Sequence, residues 1–360
     1  MKANLSVDTA KRVDLNRLSV GLEGAKYLAD NFVKTGRYKS QESWGPEGVL
    51  YLAESSWALM DAYRISGQEI YIDAVKSILK AIKKMQKPSG GWAIELGKSG
   101  IAFKVTDEER EDSALYEDPP TTAAFLRTIA EYQELTDDKT YFEMGSKAFE
   151  YLFAMWNEES RTFVDQRKRK LLGLRSNPNG YHLFFLIGID AWRIFSPERV
   201  DRVFPTMLAF IKENFDGFDI DIMPLICALH AVALLDYCST DYIETVIKDK
   251  ILNVLVNNPT FKIPQVPGGY GHRDGSRGIV TTESNMRSCA GIALAMRRYD
   301  IVTNTQTFTS MPQYQSIANW IDQMKSNTFF YEFETLPERK KQGHGSPGQY
   351  LPSWWIFGKM

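Results

Sequence analysis

The chain has 360 residues, is 44% hydrophobic and carries a formal net charge of -2. That length supports a sizeable core without disulfides or metals, and the near-neutral charge gives no electrostatic reason to expect nucleic acid. Cys227, Cys238 and Cys289 are too scattered for a disulfide framework or a CxxC site, which points to a reducing compartment.

The first twenty residues show no signal-type apolar run, and no apolar stretch approaches the roughly 18 residues of a membrane span. A cytoplasmic protein without a membrane span is the expectation. The 8 Trp, 17 Tyr and 20 Phe exceed what a plain core needs. Such residues also line grooves for sugars or apolar ligands.

In chain order the periodicity is helical almost throughout. Asp14 to Val33 spaces Leu15, Leu18, Leu22, Ala25, Leu28 and Phe32 along one face. A second helix starts near Pro46 and stops at Gly67, and a third spans Glu69 to Gln86 before Pro88. Thr121 to Leu135 and Lys139 to Trp156 form the next pair, then Tyr181 to Phe195 and Glu198 to Phe215. Asp221 to Tyr237, Asp241 to Val256, Thr281 to Tyr299 and Tyr314 to Met324 complete eleven predicted helices, and no alternating strand stands out. Residues 327–360 read as an irregular, aromatic-rich tail lying across the rest.

The helices come in two kinds. Glu69–Gln86, Lys139–Trp156, Glu198–Phe215 and Asp241–Val256 have one charged face. Val49–Ile65, Thr122–Tyr132, Tyr181–Trp192 and Ile222–Leu235 are more apolar and less charged. The first kind suits an outer ring with a wet face, the second an inner ring surrounded by protein. The predicted architecture is therefore all-α, an (α/α)5-6 toroid forming one domain over residues 1–360.

A glycine-aromatic turn recurs between outer and inner helices. It occurs as "MQKPSGGWAI" before "PPTTAAFLRTIAEY", as "VPGGYGHRDGSRGIVTTESNMR", and more weakly as "NFDGFDIDIMPLICALHAVALL". Gln86, Gly91 and Trp92 within "AIKKMQKPSGGW" resemble the QW turn of squalene-cyclase-type proteins. "GGW" followed by "TTAAFLRTIAEYQELTDDKTYFEMGSKAFEYL" resembles toroid polysaccharide lyases of the pectate-lyase type. The chain thus resembles the α/α-toroid superfamily, which includes terpenoid cyclases, protein prenyltransferases, polysaccharide lyases and glycosidases. The resemblance covers most of the chain as architecture and specifies a reaction poorly.

In a toroid the inner-helix N-termini converge on one face, where free N–H groups and helix dipoles favour anions. Four polar clusters fall there. Glu117, Asp118, Thr121 and Thr122 follow the loop acids Asp107, Glu108, Glu109, Glu111 and Asp112. They read either as a Ca²⁺ site or carboxylate pair, or as helix caps beside a solvated charge run. Arg175, Asn177, Asn179, Tyr181 and His182 either make a turn before a buried histidine or supply the neutraliser, base and acid of a uronate lyase.

Tyr270, His272, Arg273, Asp274, Arg277, Glu283 and Arg287 form the densest cluster, either a loop gripping an anionic substrate or a turn with surface ion pairs. Asp216, Asp219 and Asp221 fall short of the DxDD acid of class II terpene cyclases, because Ile222 takes the last position. No zinc spacing, DDxxD, phosphate loop, dinucleotide fingerprint or GxSxG is present. His344 in "GHGSPG" reads as a loop residue.

The favoured expectation is an enzyme that cleaves an acidic oligo- or polysaccharide by β-elimination beside a uronate carboxylate. Arg273 and Asn179 neutralise that carboxylate, His182 or His272 takes the proton, and Tyr181 or Tyr270 assists the leaving oxygen. Trp44, Trp92, Trp354 and Trp355 stack on sugar faces, and Glu117, Asp118, Glu283 and Arg287 contact substrate. A glycosidase would instead pair Asp118 with Glu283. A terpenoid cyclase-like enzyme with an aromatic-lined cavity and a non-catalytic binding toroid remain alternatives. Apart from Ca²⁺ at the acidic loop, no metal or cofactor is indicated.

Overall fold

The computed structural model describes residues 12–33, 49–92, 119–163, 182–215, 224–259, 262–274, 278–280 and 283–360, with backbone alone at 162, 215, 224, 226, 272–274 and 278–280. Twelve helices run through them, counting the segmented stretch 240–257 as one. They are α1 (Leu18–Phe32), α2 (Val49–Ser66), α3 (Glu69–Lys83), α4 (Pro119–Thr136), α5 (Phe142–Phe153) and α6 (His182–Trp192). Then come α7 (Pro197–Phe215), α8 (Pro224–Leu235), α9 (240–257), α10 (Met286–Thr303), α11 (Pro312–Gln323) and α12 (Ser346–Phe357).

The even-numbered helices form the inner ring. Each packs on the next from α2 through α4, α6, α8 and α10 to α12, and α12 returns to α2 to close it. The odd-numbered helices lie outside. Among them α3 shows the logic: Ile72, Val75, Ile78, Leu79 and Ile82 face inward while Lys76, Lys80 and Lys83 face water. α1 packs against both α3 and α12, joining the chain's first hairpin to its last helix. The buried apolar side chains form one continuous cluster.

Two sequence expectations need correction. Residues 327–360 are not an irregular tail. They contain the sixth inner helix, and all twelve residues of α12 are buried. A helix packed on every side has no wet face and hence no 3.6-residue period to read. Its two prolines also look like breakers. Pro347 sits in the first turn, where no N–H is needed, and packing holds the helix through Pro352. The toroid thus has six hairpins.

Short strands also occur where none was expected. β1 (Trp156–Asn157) pairs with β2 (Thr162–Phe163), and β3 (His272–Asp274) with β4 (Gly278–Val280). β5 (Glu283–Asn285), β6 (Phe333–Thr335) and β7 (Lys340–Gln342) form an antiparallel sheet in the order β5-β6-β7. The helix predicted from Thr281 therefore begins at Met286. Asn285 caps it, its side chain accepting from the Arg287 N–H at 2.7 Å.

The glycine-aromatic turns are two copies of one device. Trp92 donates its indole N–H to Ile82 O of the preceding outer helix (2.8 Å) and its backbone N–H to Thr122 Oγ1 of the next inner helix (3.2 Å). Tyr270 donates its hydroxyl to Val256 O (3.0 Å) and its backbone N–H to Cys289 Sγ (3.3 Å). Gln86 tightens the first copy by donating to Gly90 O and Met144 O, each at 2.9 Å. The third, weaker copy falls at 216–223, outside the described residues.

Candidate functional site

Most connections that enter inner helices are long in sequence, such as 84–118 and 258–285, although 216–223 is short. Those that leave them are short, such as 67–68 and 193–196. Long loops gathered at one end of a rigid scaffold are where binding groups are usually carried. The inner-helix N-termini at that end hold a cluster of buried and half-buried polar side chains.

α2 contributes Tyr51 and Glu54 from its first two turns. α10 contributes Arg287 from its first turn, and α12 contributes Tyr350 from its second. The β5-β6-β7 sheet places a fifth member. Glu332, just before β6, accepts from the Met286 N–H through its backbone carbonyl at 2.9 Å, and its own N–H donates to Gly343 O at 2.9 Å. This fixes Glu332 between the starts of α10 and α12. Its Oε1 lies 3.4 Å from Arg287 Nε.

Arg287 donates to Tyr51 Oη at 2.8 Å and its guanidinium lies 4.8 Å from the Tyr51 ring centre. Tyr350 donates its hydroxyl to Glu54 Oε2 at 2.5 Å. Glu54 is 5% exposed and Tyr350 3%. Burial lifts the Glu54 carboxyl to about 7, against the opposing pull of the Tyr350 hydrogen bond and the Arg287 charge. Burial works against the Arg287 charge, but Tyr51, Glu332 and Tyr350 outweigh it and keep the guanidinium ionised.

Below this cluster the ring is filled by aromatic side chains. Tyr350 and Trp354 have centroids 4.7 Å apart, Trp354 stacks on Trp57 at 5.7 Å, and Trp57 reaches Phe184 at 6.2 Å. Ser55 Oγ, Ser288 Oγ and Trp354 Nε1 are buried with no hydrogen-bond partner among the described residues. Buried polar atoms left open in this way ask for water or a ligand.

The sequence expectations fare unevenly against this geometry. Arg287 lies inside the cluster. Glu283 is half-buried in β5, opposite Thr335. His182 opens α6 and is buried, its ring 5.6 Å from Phe185 and 5.7 Å from Phe210. Asn179, Tyr181, Trp44, Glu117 and Asp118 lie outside the described residues, as do the side chains of His272 and Arg273.

Trp92, Trp354 and Trp355 are corrected: each is 0% exposed, so none offers an open face to a sugar. Trp92 locks its turn, and Trp355 donates to Tyr314 Oη at 3.0 Å. Tyr270 is corrected too. It is 2% exposed, its hydroxyl is committed to Val256 O, and burial raises it above the ordinary tyrosine range. Tyr270→Phe is expected to lower stability by about 1 kcal/mol, because the Val256 carbonyl loses its donor. Turnover of any substrate found is expected to stay unchanged. A large loss of turnover at unaltered stability would restore the catalytic role.

Glu54, Tyr51, Tyr350 and Glu332 are not among the residues expected from the sequence. The sequence does carry a signal for Glu54: it is the one charged residue inside "VLYLAESSWALM" of an inner helix. Glu332 and Tyr350 gave none, since their segment has no readable period.

Among the described residues no group of three His, Cys, Asp or Glu side chains is placed to hold a metal ion, and no helix is long and apolar enough to cross a membrane. A cavity of about 390 Å³ opens at the opposite, C-terminal end of the inner ring, lined in part by Arg64, Arg127, Glu131, Asp236 and Arg298. These charges are paired with one another, Arg64 and Arg127 with Glu131 and Arg298 with Asp236.

No family model matches the sequence, and no curated protein does. Solved structures do. A cellobiose 2-epimerase from Bacillus thermoamylovorans superposes with a TM-score of 0.65 at 12% identity, over 95% of this chain and 97% of that one. A D-mannose isomerase gives a TM-score of 0.65 at 9% identity, over 98% and 99%. An α-1,6-mannanase from a Salegentibacter species gives 0.59 at 10% identity, over 95% and 98%. At such identities the likeness is one of fold, and the chain is an all-α protein of the α/α-toroid fold.

Proposed function

We propose that this chain is a carbohydrate-active enzyme whose substrate binds at the inner-helix N-terminal end of the ring, against Glu54, Arg287 and Tyr350. The observation that carries the reading is the Tyr51–Glu54–Arg287–Glu332–Tyr350 cluster, in which Glu54, Glu332 and Tyr350 are buried and Tyr51 and Arg287 half-buried. It combines a protonatable carboxyl, a fixed cation and two tyrosine hydroxyls in a fold shared with sugar-processing enzymes. Sugars need just such mixed donors and acceptors, whereas an isoprenoid needs an unbroken apolar wall. The structural likenesses reported lend the terpenoid cyclase-like reading no support.

Within this reading an acidic sugar is the finer proposal. Arg287 would face its carboxylate, and β-elimination beside that carboxylate would be the reaction. The test is a panel of neutral reducing sugars, neutral oligosaccharides and uronic-acid polymers, with and without Ca²⁺. New reducing ends report hydrolysis, chromatography reports epimers or ketoses, and ultraviolet absorbance of a conjugated C=C bond reports elimination. At least one sugar class is expected to turn over. Absorbance with a uronate polymer supports the finer proposal; turnover confined to neutral sugars removes it. A panel with neither binding nor turnover would overturn the carbohydrate reading.

A further inference from the structure

We infer that Glu54 is the acid–base residue of this site, exchanging a proton with the bound substrate while Tyr350 and Arg287 hold it in place. This rests on the carbohydrate reading above and deepens it.

Three other carboxylates of this chain with little exposure are each tied by two or more donors. Glu131 is held by Arg127 Nε at 2.6 Å and Arg64 at 2.9 Å. Glu334 accepts from Trp320 Nε1 at 2.7 Å and Arg339 Nε at 2.6 Å. Asp300 accepts from the Phe308 and Thr309 N–H groups and from the Thr305 and Thr309 hydroxyls. Each of these is saturated with donors, as a structural carboxylate must be in a low-dielectric interior. Glu54 is 5% exposed, and among the described residues its one hydrogen-bond donor is the Tyr350 hydroxyl; Glu332, also 5% exposed, stays beside the Arg287 cation at 3.4 Å, which balances its charge in place of further donors. A carboxyl as lightly tied as that of Glu54 can gain and lose a proton.

Its surroundings suit proton transfer. Facing it are Tyr350 from α12, Arg287 from α10 and, through Arg287, Tyr51 and Glu332. A base works best when its pKa lies near the operating pH, and burial brings Glu54 there. In the step itself the Glu54 carboxylate takes a proton from the substrate. The electron pair left behind stays on the substrate, where negative charge develops beside the Arg287 guanidinium. In the proposed β-elimination that C–H pair becomes the new C=C bond as the C–O bond breaks and its pair leaves on the glycosidic oxygen; the Glu54 carboxyl then gives its proton to that oxygen, so the enzyme ends unchanged and no further reactant is consumed.

Glu54→Gln keeps the shape and removes the proton exchange. It is expected to lower turnover by about 10²–10⁴-fold while substrate affinity, measured by calorimetry, stays within a few-fold. In the unaltered protein the rate should rise with pH through about 7, as Glu54 ionises. Tyr350→Phe removes a hydrogen bond that favours the carboxylate, so that limb should move to higher pH. A substrate-free readout accompanies these. Difference infrared spectroscopy should show a protonated carboxyl band that disappears near neutrality and is missing from Glu54→Gln.

Glu54→Gln with near-normal turnover overturns the inference and leaves the carbohydrate reading standing. A protein without the neutral-pH carboxyl band overturns it even before a substrate is known. A panel without binding or turnover removes the carbohydrate reading, and this inference with it.

Discussion

Glu131→Ala should lower the unfolding free energy by about 3–5 kcal/mol, the usual cost of removing one partner from a buried ion pair. Glu131 sits near the C-terminal end of α4, where Arg127 Nε meets it at 2.6 Å and Arg64 at 2.9 Å, and its side chain is 12% exposed. Without the carboxylate, two guanidiniums face each other. Arg64 keeps Asp61 as a partner at 3.1 Å, whereas Arg127, packed over the Trp57 ring at 4.3 Å, keeps no Asp or Glu side chain and only its bond to Met360 O. Urea unfolding measures the change. Glu143→Ala, which removes an exposed pair with Lys147, is the control and should shift nothing measurable.

The pH dependence of these variants separates two buried carboxylates of opposite sign. Burial alone would raise Glu131, but Arg127, Lys359 and Arg64 outweigh it and hold the group below the ordinary carboxylate range. Its contribution is therefore present above the unfolded glutamate value of about 4.3 and is lost as pH falls toward the folded value. The gap between the parent protein and Glu131→Ala should narrow in acid. Glu54 runs the other way. Its folded value is raised to about 7, so its contribution is present below the unfolded value and is lost as pH rises through about 7. Glu54→Gln should gain stability relative to the parent above neutrality. Parallel pH profiles for the two variants would contradict these assignments.

The alternation of wet-faced and apolar helices was readable because an outer helix must present both solvent and core. The charged stripe of α3 and the unbroken apolar run of α6 carry that distinction in the residues themselves. α12 escaped because total burial erases periodicity and its prolines imitate a loop. β5 escaped for another reason. Three residues pairing with a strand some fifty positions later form a contact that no local pattern encodes.

The site was legible as a place and much less so as a set of residues. The inner-helix N-termini follow from the topology, and Arg287 was found because it lies in a visibly polar stretch. Tyr270 and Trp92 were drawn into the site by their chemistry. Their polar atoms are instead spent on Val256 O and Ile82 O, since an aromatic tip beside a turning glycine finds a carbonyl close by. Glu54 and Tyr350 come from helices almost three hundred residues apart and meet only when α12 closes the ring.

Gly90→Ala and Gly268→Ala should each cost about 3–5 kcal/mol, combining backbone strain with forced displacement of a neighbour. Both glycines have positive φ, +102° and +78°. A Cβ at Gly90 would lie 2.2 Å from Lys147 O on α5, and one at Gly268 would lie 2.0 Å from Ser316 O on α11. In each case the turn presses against the backbone of the next outer helix, so no rotamer change can make room. Gly67→Ala supplies the contrast. It has φ +66° but nothing within 4 Å of its would-be Cβ, so only the strain of about 1 kcal/mol should appear. Equal losses in all three would show that the close approach does not matter. The two turns should then differ in function. Tyr270 O accepts from the Asn285 N–H at 2.9 Å, and Asn285 caps the helix that carries Arg287. Gly268→Ala should therefore depress turnover of any panel substrate more than Gly90→Ala does at matched stability.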